Sequence, residues 1–298
     1  MRTKMSFNPT CSRMIHAVVA AVSVLVVSAP AIGQVAQEGM KRKPRAPEAQ
    51  TVKFTSEDGV HIEADYYAPT VPGNERVPVA ILIHMYPADR TSWRPLVPGL
   101  LKAGFAVLAY DIRGTGGSME PAEKKLKQCY IAKDPEHFND AWKDTRAAKE
   151  WLSGQPRCDV SRIALIGASI GSSISLHYAS QDKAVKAVVC LSPGLDYLGV
   201  DSVDHIKKCS DRAILLISPK SEYKHVKKLL KAAGGAAKGK KFSGTNKQHG
   251  TNLLKSDDAK KVKRQITVFL KRAMPAEQVG EEEEMPVKSK KRPRARRA

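Results

Sequence analysis

One short stretch brings together the residue types that covalent catalysis needs: Gly167-Ala168-Ser169-Ile170-Gly171. The consecutive apolar residues Ile163, Ala164, Leu165 and Ile166 precede it, the pattern of a strand covered on both faces. Small residues at Ser172, Ser173 and Ser175 follow, with Ile174 and Leu176 between them, which suits a helix packed closely on a sheet. A strand, a tight turn and a helix with serine at the apex form the context of a nucleophile elbow. The flanking glycines leave room for a strained serine backbone. The N–H of Ile170 is then free to face a developing oxyanion. The plain alternative is an ordinary strand-to-helix turn with a capping serine. The remainder of the chain must therefore supply a base, an acid and a second oxyanion donor.

The elements that would position such groups are legible as punctuated apolar runs. Thr51 to Pro69 reads as a hairpin turning at Asp58-Gly59. Strands are expected over 77–84, 105–110, 162–167, 185–191 and 213–218, with a weak one over 240–244. Helices are expected over 92–103, where Pro95 and Pro98 make the start irregular, and over 139–153, 223–233 and 260–273. On the second of these, Ala141, Trp142, Thr145, Ala148, Trp151 and Leu152 share a face. The stretch 119–138 reads as a long loop, a length that is usually functional or mobile. Alternating strands and helices predict a mostly parallel, doubly wound sheet with helices on both faces. Active sites in such sheets lie at the carboxyl ends of the strands. Four chemically capable stretches fall there: His84-Met85-Tyr86-Pro87, Ser169, Pro219-Lys220-Ser221-Glu222 and Gln248-His249-Gly250. Their order, serine then acid then histidine, is one of the known triad orders.

Five motifs, LIHMYPADRTSW, AYDIRGTGGS, IALIGASIGSS, LSPGLDY and QHGTNLL, make the chain from about residue 51 to 273 resemble the α/β-hydrolase superfamily. Within it the resemblance is to the dienelactone-hydrolase-like or small carboxylesterase branch. It implies an α/β-hydrolase fold with an N-terminal hairpin. Ser192 to Cys209 alone separates two strands where relatives insert a lid, so no large cap domain is expected, only an open cleft partly covered by 119–138. By resemblance, Ser169 is the nucleophile and His249 the base. Glu222 stands where the family places its acid, with Pro219 in place of the usual glycine, and Asp196 is the reserve. The oxyanion hole would be built from Ile170 and from Tyr86, with Met85 the second choice, because the family's His-Gly-X reads His84-Met85-Tyr86 here. His84 is expected to be structural, and Asp111 and Arg113 to form a supporting turn. The implied activity is a serine hydrolase acting on a small-molecule or polymer-linked ester. An acyltransferase or peptidase with the same triad, and a catalytically idle binding or scaffold protein on the fold, remain open.

Composition bounds the rest. The 298 residues are 42% hydrophobic with a formal net charge of +20. That charge invites a nucleic-acid reading, but no zinc-finger spacing, RNP-like aromatic motif or P-loop accompanies it. No metal or organic cofactor is implied: ligand spacing is lacking, and Gly114-Thr115-Gly116-Gly117 lacks the dinucleotide fingerprint. Arg2, Lys4 and Arg13 before the apolar run 17–27, then Ala31-Ile32-Gly33, read as a signal peptide over 1–33 cut after Gly33; an uncleaved anchor is the competing reading. Export to the periplasm or outside the cell would follow. Residues 34–50 read as a disordered linker and 274–298 as a disordered charged tail. The tail's basic end, 287–298, either contacts an anionic envelope loosely or merely solubilises. Past the expected cleavage point lie Cys129, Cys158, Cys190 and Cys209, which allow three disulfide pairings; Cys190, inside a buried strand, also suits a free thiol. Oligomeric state is not legible.

Overall fold

The computed structural model describes residues 47–119 and 125–275. The expected signal peptide, most of the linker and the tail beyond Pro275 lie outside the described residues. In chain order the elements are β1 (Gln50–Thr55), β2 (His61–Tyr67), β3 (Val77–Ile83), α1 (Val97–Lys102), β4 (Ala106–Tyr110), α2 (Leu126–Ala132), α3 (Pro135–Asp140) and α4 (Trp142–Ser153). Then come β5 (Cys158–Ala168), α5 (Ile170–Ala179), β6 (Val185–Leu191), β7 (Asp196–Tyr197), β8 (Val200–Asp201), α6 (Ser202–Lys207), β9 (Ala213–Pro219), α7 (Tyr223–Ala232), β10 (Ala237–Phe242) and α8 (Ala259–Ala273).

Eight strands form one sheet in the order β1-β2-β4-β3-β5-β6-β9-β10. β1 and β2 are the antiparallel hairpin, β2 meets β4 antiparallel, and every later pairing is parallel. Successive side chains of a strand point to opposite faces, so a strand covered on both sides must be apolar throughout. β3 shows this directly. Val79, Ile81 and Ile83 enter a core shared with α4, α5 and α7. Ala80 and Leu82 enter a second core shared with α1 and α8. α8 supplies Val262, Ile266 and Leu270, spaced by four, to that second core. Met274 packs there as well, so the ordered domain extends past the expected boundary at 273.

Three expectations about elements are corrected. The stretch 119–138 is not a loop from residue 126 onward but carries α2 and the start of α3. The overlooked signal is Asp134-Pro135: the Asp134 carboxylate accepts from the N–H of Glu136 at 2.9 Å, with proline in the first turn. The helix expected over 139–153 is accordingly two helices, with α3 closing before α4 opens. The helix expected over 92–103 is a 3-10 turn at Arg90–Trp93 and then α1, because the prolines remove the donors a continuous helix requires. The four cysteines are free thiols. Burial pushes the Cys190 thiol up to about 12 and the Cys209 thiol up to about 11.

Buried and half-buried histidines tie stability to pH. Burial lowers the pKa of His84, His137, His177 and His205 below the ordinary value, His177 to about 4 with the stacked His205 adding repulsion. The unfolded chain binds protons at these sites near pH 6.5 while the folded one does not. Their contribution is therefore whole above pH 6.5 and is lost as pH falls toward 4. Urea unfolding midpoints are expected to drop steadily between pH 7 and pH 4.5; a flat midpoint across that window contradicts the assignment.

Candidate active site

The sheet order 4-3-5 marks where the chain reverses its direction of winding, between β3 and β5. In open α/β sheets this switch point, at the carboxyl ends, forms a crevice. Parallel register sets Ile83 beside Gly167, Ala168 beside Leu191 and Leu191 beside Ile217. His84, Ser169, Ser192 and the 218–222 turn consequently stand side by side on one rim.

Ser169 adopts φ 52° and ψ −119°, a conformation sparsely populated outside glycine. Two backbone bonds hold it: its N–H donates to Leu191 O at 2.8 Å and its carbonyl accepts from the N–H of Ser172 at 2.9 Å. The flanking glycines are required by contact. A Cβ on Gly167 would fall 2.1 Å from Gly171 O, and one on Gly171 would fall 2.2 Å from Ile83 O. α5 thus starts hard against β3 and β5. Its first residue is Ile170, whose N–H has no helical acceptor behind it and is available to an anion.

The structure brings Glu222 and His249 together. Glu222 Oε1 lies 2.9 Å from His249 Nδ1, with both side chains mostly buried. Asp196, the reserve, is an exposed residue of β7 paired with Asp201 across the hairpin. Its neighbour Tyr197 is the one that reaches the site, edge-on to His249 with ring centroids 6.2 Å apart. The turn Leu198-Gly199 has φ of 53° and 82°, a primed hairpin turn that aims this tyrosine inward.

The histidine loop is fastened to the serine rim. A Cβ on Gly250 would lie 2.6 Å from Met85 Sδ and 3.5 Å from Ala168 Cβ, and Gly250 has φ 56°. Three loops therefore converge where Gly250, Met85 and Ala168 touch. The Gly250 N–H donates to Ser192 Oγ at 2.9 Å; Ser192 itself is fully buried at φ 52°. Ser192 and Tyr197 were not singled out by sequence, although both lie in the LSPGLDY motif. Ser192→Ala leaves a buried N–H unpaired, a loss of about 1–3 kcal/mol. We expect a lower melting midpoint and, under the reading proposed below, a roughly tenfold fall in kcat with KM little changed. Unchanged kcat would remove Ser192 as a positioning residue.

The loop after β3 is braced by His84. Its Nε2 accepts the N–H of Ile112 at 3.0 Å, so the ring proton sits on Nδ1, which donates to Met85 O at 2.9 Å. Burial keeps the imidazole neutral, as this arrangement demands. Both ring nitrogens are thereby committed to backbone. Tyr86 packs its ring onto Tyr130 at 4.8 Å and near Phe138 at 6.5 Å, so α2 and α3 seat on the loop expected to carry the second oxyanion donor. Asp111 braces the same loop: it accepts from the N–H of Arg90 at 2.8 Å and from that of Gly117 at 2.9 Å. A Cβ on Gly116 would collide with the Asp111 carboxylate and one on Gly117 with Glu63, which accounts for the glycine run without a cofactor. Arg113 is buried against Asp144 and also bonds Asp58. Burial opposes the charge of Asp58, yet bonds from Arg113 and Ser56 hold its carboxyl at about 2.

Residues 78–216 match the family model of the alpha/beta hydrolase fold. The Mycobacterium tuberculosis protein Rv2307c is 30% identical over 160 residues, which are 53% of this chain and 50% of that protein. Epoxide hydrolase A of Mycobacterium tuberculosis is 38% identical over 73 residues, 24% of this chain and 21% of the enzyme. The Pyrococcus furiosus esterase Pf2001 superimposes with a TM-score of 0.62 at 19% identity, over 76% of this chain and 91% of that one. The match thus spans half the length of the first of these relatives. Sheet order, elbow and family match agree: this chain has the α/β-hydrolase fold.

Proposed function

We propose that this chain is a serine hydrolase of carboxylic esters that works through an acyl-enzyme. One observation carries the reading: a strained serine stands on the same rim as a histidine whose Nδ1 is held by a carboxylate, and Gly250, the residue after that histidine, packs on Met85 and near the residue before the serine. Ser169 Oγ attacks the acyl carbonyl and its proton passes to His249 Nε2. Glu222 accepts the Nδ1 proton's hydrogen bond, fixing the tautomer and stabilising the imidazolium. The oxyanion is met by the N–H of Ile170 and by that of Tyr86. Collapse expels the alcohol, which takes the proton back from His249, and water repeats the sequence on the acyl-serine.

The chemistry of the nucleophile separates this reading from epoxide opening. A serine oxygen that opened an epoxide would form an alkyl ether, which water does not cleave under these conditions. An acyl-serine is an ester and turns over. The resemblance of the motifs to the small carboxylesterase branch supports the same choice.

The test is hydrolysis of p-nitrophenyl acetate and butyrate together with labelling by a fluorophosphonate. Steady turnover and a label mapped to Ser169 are expected. A protein that neither turns over nor labels is the idle hydrolase-fold binder instead. Labelling without hydrolysis, but with acyl transfer to an added alcohol or amine, would make it an acyltransferase.

A further inference from the structure

The net charge of this chain is concentrated in one part of the folded domain. Residues 47–222 carry 21 Lys and Arg against 22 Asp and Glu, and are close to neutral. Residues 223–275 carry fifteen Lys and Arg against two Asp. These residues build α7, β10 and α8, which form one end of the sheet. Of the fifteen cationic side chains all but Lys263 are exposed. Elsewhere many of the cations have carboxylate partners, such as Arg90 with Glu63 and Asp65, Lys149 with Asp182, and Arg113 with Asp144. In α7, β10 and α8 the one ion pair among the described residues is Lys261 with Asp258.

The shape of this end narrows the partner. β10 is the edge strand, α7 packs on one face of the sheet through Val226 and Leu229, and α8 packs on the other through Val262, Ile266 and Leu270. Lys238 and Lys240 line a groove of about 360 Å³ on the α8 side together with Arg272, while Lys241 lies over the Tyr223 ring on the α7 side. The positive surface therefore runs around a convex edge. A flat bilayer would meet only part of it. No large apolar side chain is exposed there to insert into lipid, since the exposed ones among the described residues are Met119 and Ile131. A flexible chain of regularly spaced anions can follow the curve and neutralise lysines on both faces, releasing its counterions as it does so.

We infer that the α7–β10–α8 end is a docking surface for a flexible linear polyphosphate, a chain of phosphates that carries no bases. α7 starts directly after Glu222, and the loop leaving β10 leads to His249, so a bound polymer runs beside the candidate active site. The inference does not depend on the ester-hydrolase reading, because it is tested by binding.

The probe is fluorescent long-chain inorganic polyphosphate, titrated with the full chain across the salt range of roughly 50–200 mM. The variant combines Lys227→Gln, Lys231→Gln, Lys240→Gln and Arg264→Gln. Its melting midpoint serves as the control for folding, since all four side chains are exposed. We expect tight, salt-sensitive binding by the native chain. The variant should lose at least about tenfold in affinity, and its log–log salt slope should be shallower by about 2 to 3. Neutralising Lys288, Lys290 and Lys291 in the tail should cost less than the four-site change. Equal affinity of the folded variant and the native chain overturns the inference, as does loss of binding only in the tail variant. Tighter binding to phosphatidylglycerol vesicles makes the surface a membrane face, and tighter binding to an oligothymidylate makes it a nucleic-acid face; either result replaces the inference.

Discussion

Ser169→Ala is expected to lower kcat on p-nitrophenyl butyrate by roughly 10⁵-fold, with KM changed by little. Under the proposed mechanism the serine oxygen forms and breaks the covalent bond, so its loss removes the acyl-enzyme route outright. What remains is the binding of substrate and the oxyanion donors, which together still exceed water. The fold should be indifferent to the change. Alanine keeps the same strained backbone at φ 52°, and the bonds from Ser169 N to Leu191 O and from Ser172 N to Ser169 O involve main chain only. A melting midpoint close to the native one, alongside the lost turnover, isolates the chemistry. Equal turnover in both proteins would refute the nucleophile. Glu222→Gln is the companion experiment. An amide cannot hold the imidazole as an anion does, and a loss of about 10³ to 10⁴ in kcat is expected. Asp196→Asn should leave kcat within about twofold, because the exposed Asp196 does not reach His249.

The largest loss of stability is expected at a residue far from any reacting bond. Asp144 is fully buried and accepts from Arg113 three times: from the backbone N–H at 3.1 Å, from Nε at 2.9 Å and from Nη2 at 2.7 Å. Asp144→Ala leaves the buried guanidinium with Asp58 as its remaining carboxylate. Stranding a buried charge costs about 3–5 kcal/mol, a large part of the whole stability of a domain. The urea midpoint should fall with an unchanged m-value. Replacing both partners by apolar residues, Arg113→Met with Asp144→Leu, should recover most of the loss, because no fully buried charge is then left unpaired and the partly exposed Asp58 keeps Lys143. A single variant as stable as the native chain would mean that the ion pair is solvated after all.

The central elements were legible in sequence for a simple reason. Strands covered on both faces must be apolar at every position, and VPVAILI or RIALIG reads as nothing else. The glycines of the elbow were legible because only the absence of a Cβ permits the approach of α5 to β3. Helix boundaries around 126–142 were less so. The two short helices α2 and α3, which meet at Lys133-Asp134, have too few turns for a periodicity to emerge, and the capping signal at Asp134-Pro135 was the one available cue. Asp144 was invisible to hydrophobic patterning, since a charged residue on a helix reads as exposed until its partner is seen.

By itself the sequence determined the layered α/β architecture, the serine at the end of β5 and the short list of acids and histidines that follow strands. Those follow from local rules: steric freedom of glycine, the alternation of side chains along strands, and the reversal of the chain at each helix. Which acid faces His249 was decided only by tertiary structure. Glu222 and Asp196 both follow strands, and they differ in where the β7–β8 hairpin and the turn after β9 fold in space. The same holds for Ser192, Tyr197 and Met85, which meet the site through contacts between residues distant in the chain. A lone sequence carries no record of such contacts, because they arise from the register of neighbouring strands and the packing of the loops above them.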